Sequence, residues 1–134
     1  PAVVSGVIFT RNPVNGQDEV VINAAYGLGE GVVSGQAAAD VYMTRKRDGE
    51  EIELPHVAKK RWQVETRPEG FGTRLGPVPA PLRELRALSL EQTRRLTRVA
   101  AALEKRFGKA MDIEFSLLAD GTIVILQARP ITTR

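Results

Sequence analysis

Asp112-Ile113-Glu114-Phe115-Ser116-Leu117-Leu118, then Ala119-Asp120-Gly121, then Thr122-Ile123-Val124-Ile125-Leu126-Gln127-Ala128-Arg129 read as strand, turn and strand. The first run alternates polar and apolar residues, the period of a half-buried strand. The second is mostly apolar, with its polar residues near the end. Asp120-Gly121 is hairpin-turn chemistry. Side chains two apart on a strand point the same way, so Asp112 and Glu114 share a face, as do Gln127 and Arg129. If the strands pair across the turn, two carboxylates, an amide and a guanidinium can sit side by side on an otherwise apolar hairpin.

That set has a chemistry. Carboxylate oxygens suit Mg²⁺, which usually keeps several waters and binds substrate phosphates as well. A guanidinium fork bonds two phosphate oxygens at once. Together they describe a site for a magnesium-bound triphosphate. The competing reading is a cross-strand salt bridge from Asp112 or Glu114 to Arg129 on a solvated face. Alternation alone does not separate the two. No P-loop Gly-x-x-x-x-Gly-Lys-Ser/Thr motif is present.

Upstream of the hairpin lies a helix with clear ends. Ser89 and Gln92 form a capping-box pair. Leu96, Val99, Ala100, Leu103 and Phe107 recur every three or four residues, the stripe of an amphipathic helix over about 89–107. Glu91, Arg94, Arg95 and Arg98 fall on the other face. Lys105 and Arg106 occupy the last turn, where the helix dipole favours cations, and Gly108 ends it.

Toward the N-terminus, Val3–Phe9 and Glu19–Ala25 read as strands joined by Thr10-Arg11-Asn12-Pro13-Val14-Asn15-Gly16, a turn-rich segment. Tyr26–Gly35 carries four glycines at 27, 29, 31 and 35, which fix a loop, with a short helix from about Glu30. The glycine spacing is not that of a dinucleotide fingerprint, so a tight turn is favoured over a phosphate cradle. Asp40–Thr44 alternates as a strand, Asp48-Gly49 turns, and Glu51–Leu54 alternates again. Val57–Glu65 reads as a further strand with Trp62 and Val64 on one face. Three Gly and four Pro between Arg67 and Pro81 mark an irregular loop over 66–88. The order gives an α+β fold: a mostly antiparallel sheet of five to seven strands, one long helix and a C-terminal hairpin.

The 134 residues form one domain's worth of chain, with the hydrophobic and charged fractions of a soluble globular protein. The uncharged stretch Val20–Gly29 is too short to span a bilayer. Zero Cys excludes a disulfide scaffold, thiol catalysis and a Cys-based zinc site. The single His56 sits in a polar stretch and reads as a surface residue. Tyr42 and Trp62 read as packing residues and Lys59-Lys60-Arg61 as a solvated run. From Lys59 to Arg106 there are 12 Lys or Arg and 5 Asp or Glu, which invites an anionic partner. A nucleic-acid-binding module is the alternative that charge raises, but only Trp62 and Phe71 interleave with those basic residues. A non-catalytic interaction domain is the second alternative. The chain opens Pro1-Ala2-Val3-Val4 without an initiator Met, and reads as a piece of a longer polypeptide.

Four stretches in order resemble the signatures of one family: Ser5-Gly6-Val7-Ile8-Phe9-Thr10-Arg11-Asn12-Pro13, Gly27-Leu28-Gly29-Glu30-Gly31-Val32-Val33-Ser34-Gly35, Asp112-Ile113-Glu114-Phe115, and Leu126-Gln127-Ala128-Arg129-Pro130-Ile131-Thr132. It is the ATP-binding domain of the dikinases that make or use phosphoenolpyruvate, which include phosphoenolpyruvate synthase, pyruvate phosphate dikinase and rifampicin phosphotransferases. The resemblance implies an ATP-grasp fold, of which this chain is the C-terminal lobe, in a cytoplasmic phosphotransferase using ATP and Mg²⁺. It implies that Glu114 binds Mg²⁺ and the ATP phosphates and that Gln127 contacts phosphate or metal. Arg129 would hold the phosphoryl group in transfer, and Asp112 would support Gln127 or Arg129. It further implies partner domains absent from this sequence: the other lobe, a phosphohistidine carrier, and a barrel for pyruvate or phosphoenolpyruvate. His56 lacks the surroundings of the carrier histidine. The acceptor, whether pyruvate, a glucan or an antibiotic, is not legible.

Overall fold

A computed structural model describes residues 2–131; Thr132, the end of the last motif, lies outside the described residues. The elements are β1 (Ala2–Phe9), β2 (Val20–Tyr26), α1 (Gly29–Ser34), β3 (Asp40–Thr44), β4 (Trp62–Thr66), β5 (Thr73–Pro77), a 3₁₀ turn (Ala80–Leu82), α2 (Leu90–Phe107), β6 (Met111–Leu118) and β7 (Ile123–Pro130). Five strands form one antiparallel sheet in the order β3-β2-β1-β6-β7. The α+β architecture expected from the sequence is present.

Helix α2 covers one face of that sheet. Its start is fixed as the sequence requires: Ser89 accepts from the Gln92 amide while Gln92 accepts from the Ser89 amide. Gly108 closes it with φ 68°, a conformation an L side chain resists. Beneath it lie Ile8, Ile22, Tyr42, Met111, Ile113 and Phe115, all buried.

The helix stripe differs from the expected one. Leu96 and Ala100 are buried, Leu103 is partly buried against the core, and Phe107 is 52% exposed. Thr93 and Thr97 take the inner positions instead. Thr97 donates to the Thr93 carbonyl, and its hydroxyl meets that of Thr44 on β3 at 2.7 Å. Thr44 and Thr97 thus join the helix to β3 through hydroxyls at this position, and the apolar stripe is buried at Leu96 and Ala100 but not at Phe107.

Further expectations are corrected. Glu51–Leu54 is not a strand: a single bridge joins Thr44 to Glu51, and Leu54 is exposed. The strand within 57–65 begins only at Trp62 and does not join the main sheet. It pairs with β5, inside the segment expected to be irregular, as a separate two-stranded sheet. Val64 is buried while Trp62 on the same strand is 51% exposed, so Trp62 is not a core residue. Lys60 is not solvated: it is fully buried and paired with Asp40.

Candidate functional site

The sheet face opposite α2 carries the residues read from the last hairpin. On β6, Asp112 and Glu114 are half-buried on this face, while Met111, Ile113 and Phe115 are buried on the α2 side. Across the ladder, Asp112 stands opposite Arg129 and Glu114 opposite Gln127. All four candidate residues are therefore neighbours in two adjacent cross-strand pairs.

This juxtaposition depends on a β-bulge. Near the turn, Leu117 faces Ile123 and Phe115 faces Ile125, but Glu114 then faces Gln127. Leu126 is the extra residue. Strict alternation from Ile123 and Ile125 would have carried Gln127 and Arg129 to the α2 face. The bulge shifts the strand by one, so that Ala128 packs on the core and the two polar residues join the carboxylates.

The Asp112–Arg129 contact is loose. Arg129 Nε lies 3.6 Å from Asp112 Oδ2, with the Arg side chain 60% exposed and the Asp side chain 21% exposed. That is an ion pair beyond hydrogen-bonding length, with an open guanidinium. The cross-strand salt bridge considered from the sequence is thus present as proximity, not as a closed two-point bond. Phe9, Pro13, Asp112, Arg129, Pro130 and Ile131 line a hollow of about 420 Å³ here. Pro13 reaches it because Asn12 organises the β1–β2 turn. The buried Asn12 side chain accepts from the amides of Val14 and Asn15 and donates to Glu19.

The face continues toward β3 as an apolar wall. Asn12, Val14, Val21, Asn23, Val41 and Met43 are among the residues around a second hollow of about 380 Å³. Sequence reading had not singled out Asn23; on a strand of otherwise apolar residues, its polarity was the available signal. At the far end of the face, Ser5 on β1 and Ser116 on β6 share a buried hydroxyl contact at 2.9 Å. Gly29, the first residue of α1, sits over Ser5: a β-carbon there would lie 3.7 Å from that of Ser5. The glycine loop is therefore seated on the same face as Glu114, two residues further along the strand.

His56 is exposed and meets β3 only through its backbone, paired with Val41. Among the described residues no group of three or more His, Cys, Asp or Glu converges as a protein-only metal cage. No helix among them is long and apolar enough to cross a membrane.

An antiparallel sheet backed by one helix, with two carboxylates, an amide and a guanidinium side by side on its other face, is what the fold presents, and comparison with known proteins gives its family. The family model described as the pyruvate phosphate dikinase AMP/ATP-binding domain matches residues 1–134. The chain belongs to that family. It is 40% identical to a probable phosphoenolpyruvate synthase of Methanocaldococcus jannaschii over 130 residues, covering 96% of this chain and 11% of the relative. It is 40% identical to the phosphoenolpyruvate synthase of Pyrococcus furiosus over 136 residues, covering 96% of this chain and 16% of that one. It is 37% identical to the rifampicin phosphotransferase of Bacillus subtilis over 130 residues, covering 96% of this chain and 14% of the relative. The chain thus spans a small fraction of the length of the curated relatives it matches.

Proposed function

We propose that this chain is the C-terminal lobe of an ATP-grasp unit within a phosphoenolpyruvate synthase-like dikinase, and that its open sheet face holds the phosphates of ATP. The observation that carries the reading is the bulge-dependent placement of Asp112, Glu114, Gln127 and Arg129 on one face, opposite the face that α2 covers. A structural surface needs no such displacement of Gln127 and Arg129 from the strand's regular alternation.

Each residue has a role in this reading. Arg129, open and not closed onto Asp112, presents its fork to the phosphoryl group in transfer. Asp112 keeps the guanidinium aimed without neutralising it through a two-point bond. Glu114 and Gln127 offer oxygens toward the phosphates' Mg²⁺, a donor set that suits a hard cation keeping some waters and phosphate ligands. One carboxylate and one amide oxygen, with few protein donors between them, fit a metal shared with substrate. The bound ion would neutralise phosphate charge. The second lobe, a carrier histidine that takes the phosphoryl group, and a site for pyruvate or another acceptor belong to the remainder of the parent protein in this reading. The isolated chain, holding half of the site, binds ATP weakly or not at all.

The test is made in the full-length parent. Arg129→Ala should slow AMP formation by roughly a hundred- to a thousandfold, the usual effect of removing one donor to developing charge. Arg129→Lys should restore only part, because an ammonium lacks the planar two-point contact. Glu114→Gln should raise the Mg²⁺ requirement, so added Mg²⁺ should recover some activity. Stopped-flow AMP formation at the wild-type rate by Arg129→Ala would refute the assignment.

A further inference from the structure

Asp40, at the start of β3, has a carboxylate with every acceptor position filled. Oδ1 accepts from Lys60 Nζ at 2.6 Å and from the Ala58 amide at 2.9 Å. Oδ2 accepts from the Tyr42 hydroxyl and from the Ala87 amide, each at 2.7 Å. Lys60 also donates to the Ala58 carbonyl at 2.9 Å and lies 5.6 Å from the centre of the Tyr26 ring. Neither side chain of the pair has exposed surface. This one carboxylate therefore ties β3, the segment that enters β4, and the segment that enters α2.

The strand that follows Lys60 meets the glycine loop at its middle residue, Val64. The Leu28 amide donates to the Val64 carbonyl at 2.8 Å, and Gly27 bridges Val64. Gly27 has φ 87°, and a β-carbon on it would come within 2.5 Å of the Val64 carbonyl oxygen. A β-carbon on Gly31 would come within 2.9 Å of the Val64 side chain. Both glycines are needed for the loop to lie this close to β4. The loop in turn seats Gly29 over Ser5, on the face that carries Glu114.

We propose that the buried Asp40–Lys60 pair, acting through Val64 on the β4–β5 hairpin, positions the Gly27–Gly35 loop as the end wall of the nucleotide face. Lys60 and Val64 are positioning residues: they touch no candidate phosphate ligand and act through the loop. The proposal rests on the reading that ATP occupies this face. A loop that loses its backstop samples displaced positions, and nucleotide binding must then restore it. Apparent affinity falls by the fraction of molecules that keep the loop in place, while the saturated complex is unchanged.

The experiment uses the full-length protein with Val64→Ala, Lys60→Met and, as a control, Phe71→Ala at the exposed far end of the hairpin. Hydrogen exchange is measured without nucleotide, and steady-state rates are measured with MgATP. Val64→Ala should accelerate exchange of the 27–35 amides, Leu28 foremost, and leave β6 and β7 unchanged. Its KM for MgATP should rise about three- to tenfold, with kcat kept within about twofold. Lys60→Met should do the same where it folds, and Phe71→Ala should do neither. Unaltered exchange at Leu28 in Val64→Ala overturns the coupling of hairpin to loop. Faster exchange with an unchanged KM overturns the loop's role at the site. Wild-type protein that neither binds nor turns over MgATP refutes the nucleotide reading itself, and this proposal falls with it. The exchange data still report separately whether the hairpin holds the loop.

Discussion

Asp40 and Lys60 meet at 2.6 Å with no exposed surface, whereas Asp112 and Arg129 stand 3.6 Å apart with the guanidinium largely in solvent. Both are acid–base pairs formed by residues of the same small domain, and both begin from an Asp on a strand. The first carboxylate also accepts from two backbone amides and a phenol. The second lies beyond hydrogen-bonding length from its partner. A saturated, desolvated pair has no capacity left for a ligand, so its consequence is structural. An unsaturated pair on an open face keeps its charge available to a third group. Burial and the filling of acceptor sites separate an anchor from a pair still open to a third group here; charge does not.

The sharpest way to break this comparison is to remove one partner from each pair and measure stability. Lys60→Met leaves Asp40 buried without its counter-ion and should cost about 3–5 kcal/mol in denaturant unfolding. Asp40→Asn added to Lys60→Met should recover part of that, because the uncompensated charge is then gone. A loss below about 1 kcal/mol for Lys60→Met would place this pair with surface ion pairs and remove the distinction.

Core packing supplies the next test. Leu96 is fully buried under α2, and its truncation to Ala should cost about 2–5 kcal/mol. Leu103→Ala should fall at or below the bottom of that range, because Leu103 is only partly buried. Equal losses at the two positions would mean that the helix presses on the sheet along its whole apolar stripe.

How far the sequence reveals each region follows from the range of its interactions. Helix α2 was legible from Ser89 to Gly108 because its cap and period are local. The hairpin was legible because its turn, its alternating first strand and its apolar second strand lie within eighteen residues. Its four polar residues were correctly read as neighbours, but the bulge at Leu126 that puts them on one face leaves no mark in composition. Lys60 was misread because a Lys-Lys-Arg run looks solvated, and the partner that buries it lies 20 residues upstream. Strand β5, and with it the pairing of β4, was obscured in the same way. Their pairing needs Arg67, Pro68, Gly70 and Gly72 as a turn, and a Gly- and Pro-rich stretch reads as irregular when its partner strands are weakly apolar.

Arg129→Ala sets the opposite end of the stability scale. With the contact at 3.6 Å and the side chain 60% exposed, its loss should change unfolding free energy by about 0–1 kcal/mol. The same substitution carries a large expected loss of turnover in the full-length parent. A destabilisation as large as that of Lys60→Met would make Arg129 an anchor and dissolve the contrast between the two pairs.

The smallest effect belongs to a third pair, Arg45 and Asp48, which has the close geometry of the first and the exposure of the second. Arg45 Nη2 lies 2.7 Å from Asp48 Oδ2, and Arg45 Nε contacts both carboxylate oxygens at 3.1 Å. The side chains are 44% and 38% exposed. The Arg45 hydrogen bonds, joined by the Glu50 amide, push the Asp48 carboxyl down to about 2 from its ordinary 3.8. A depressed carboxyl pKa stabilises the folded chain above the unfolded value, and that contribution is lost as pH falls through the folded value. The unfolding midpoint should therefore fall slightly more steeply between about pH 4 and pH 2 in wild type than in Asp48→Asn, with the two curves parallel above pH 5. Solvent screening keeps the difference small despite the short contacts. If Asp48→Asn altered the acid limb as strongly as removal of Lys60 lowers stability at neutral pH, contact distance rather than burial would decide what an ion pair contributes here. The contrast between Asp40–Lys60 and Asp112–Arg129 would then need another cause.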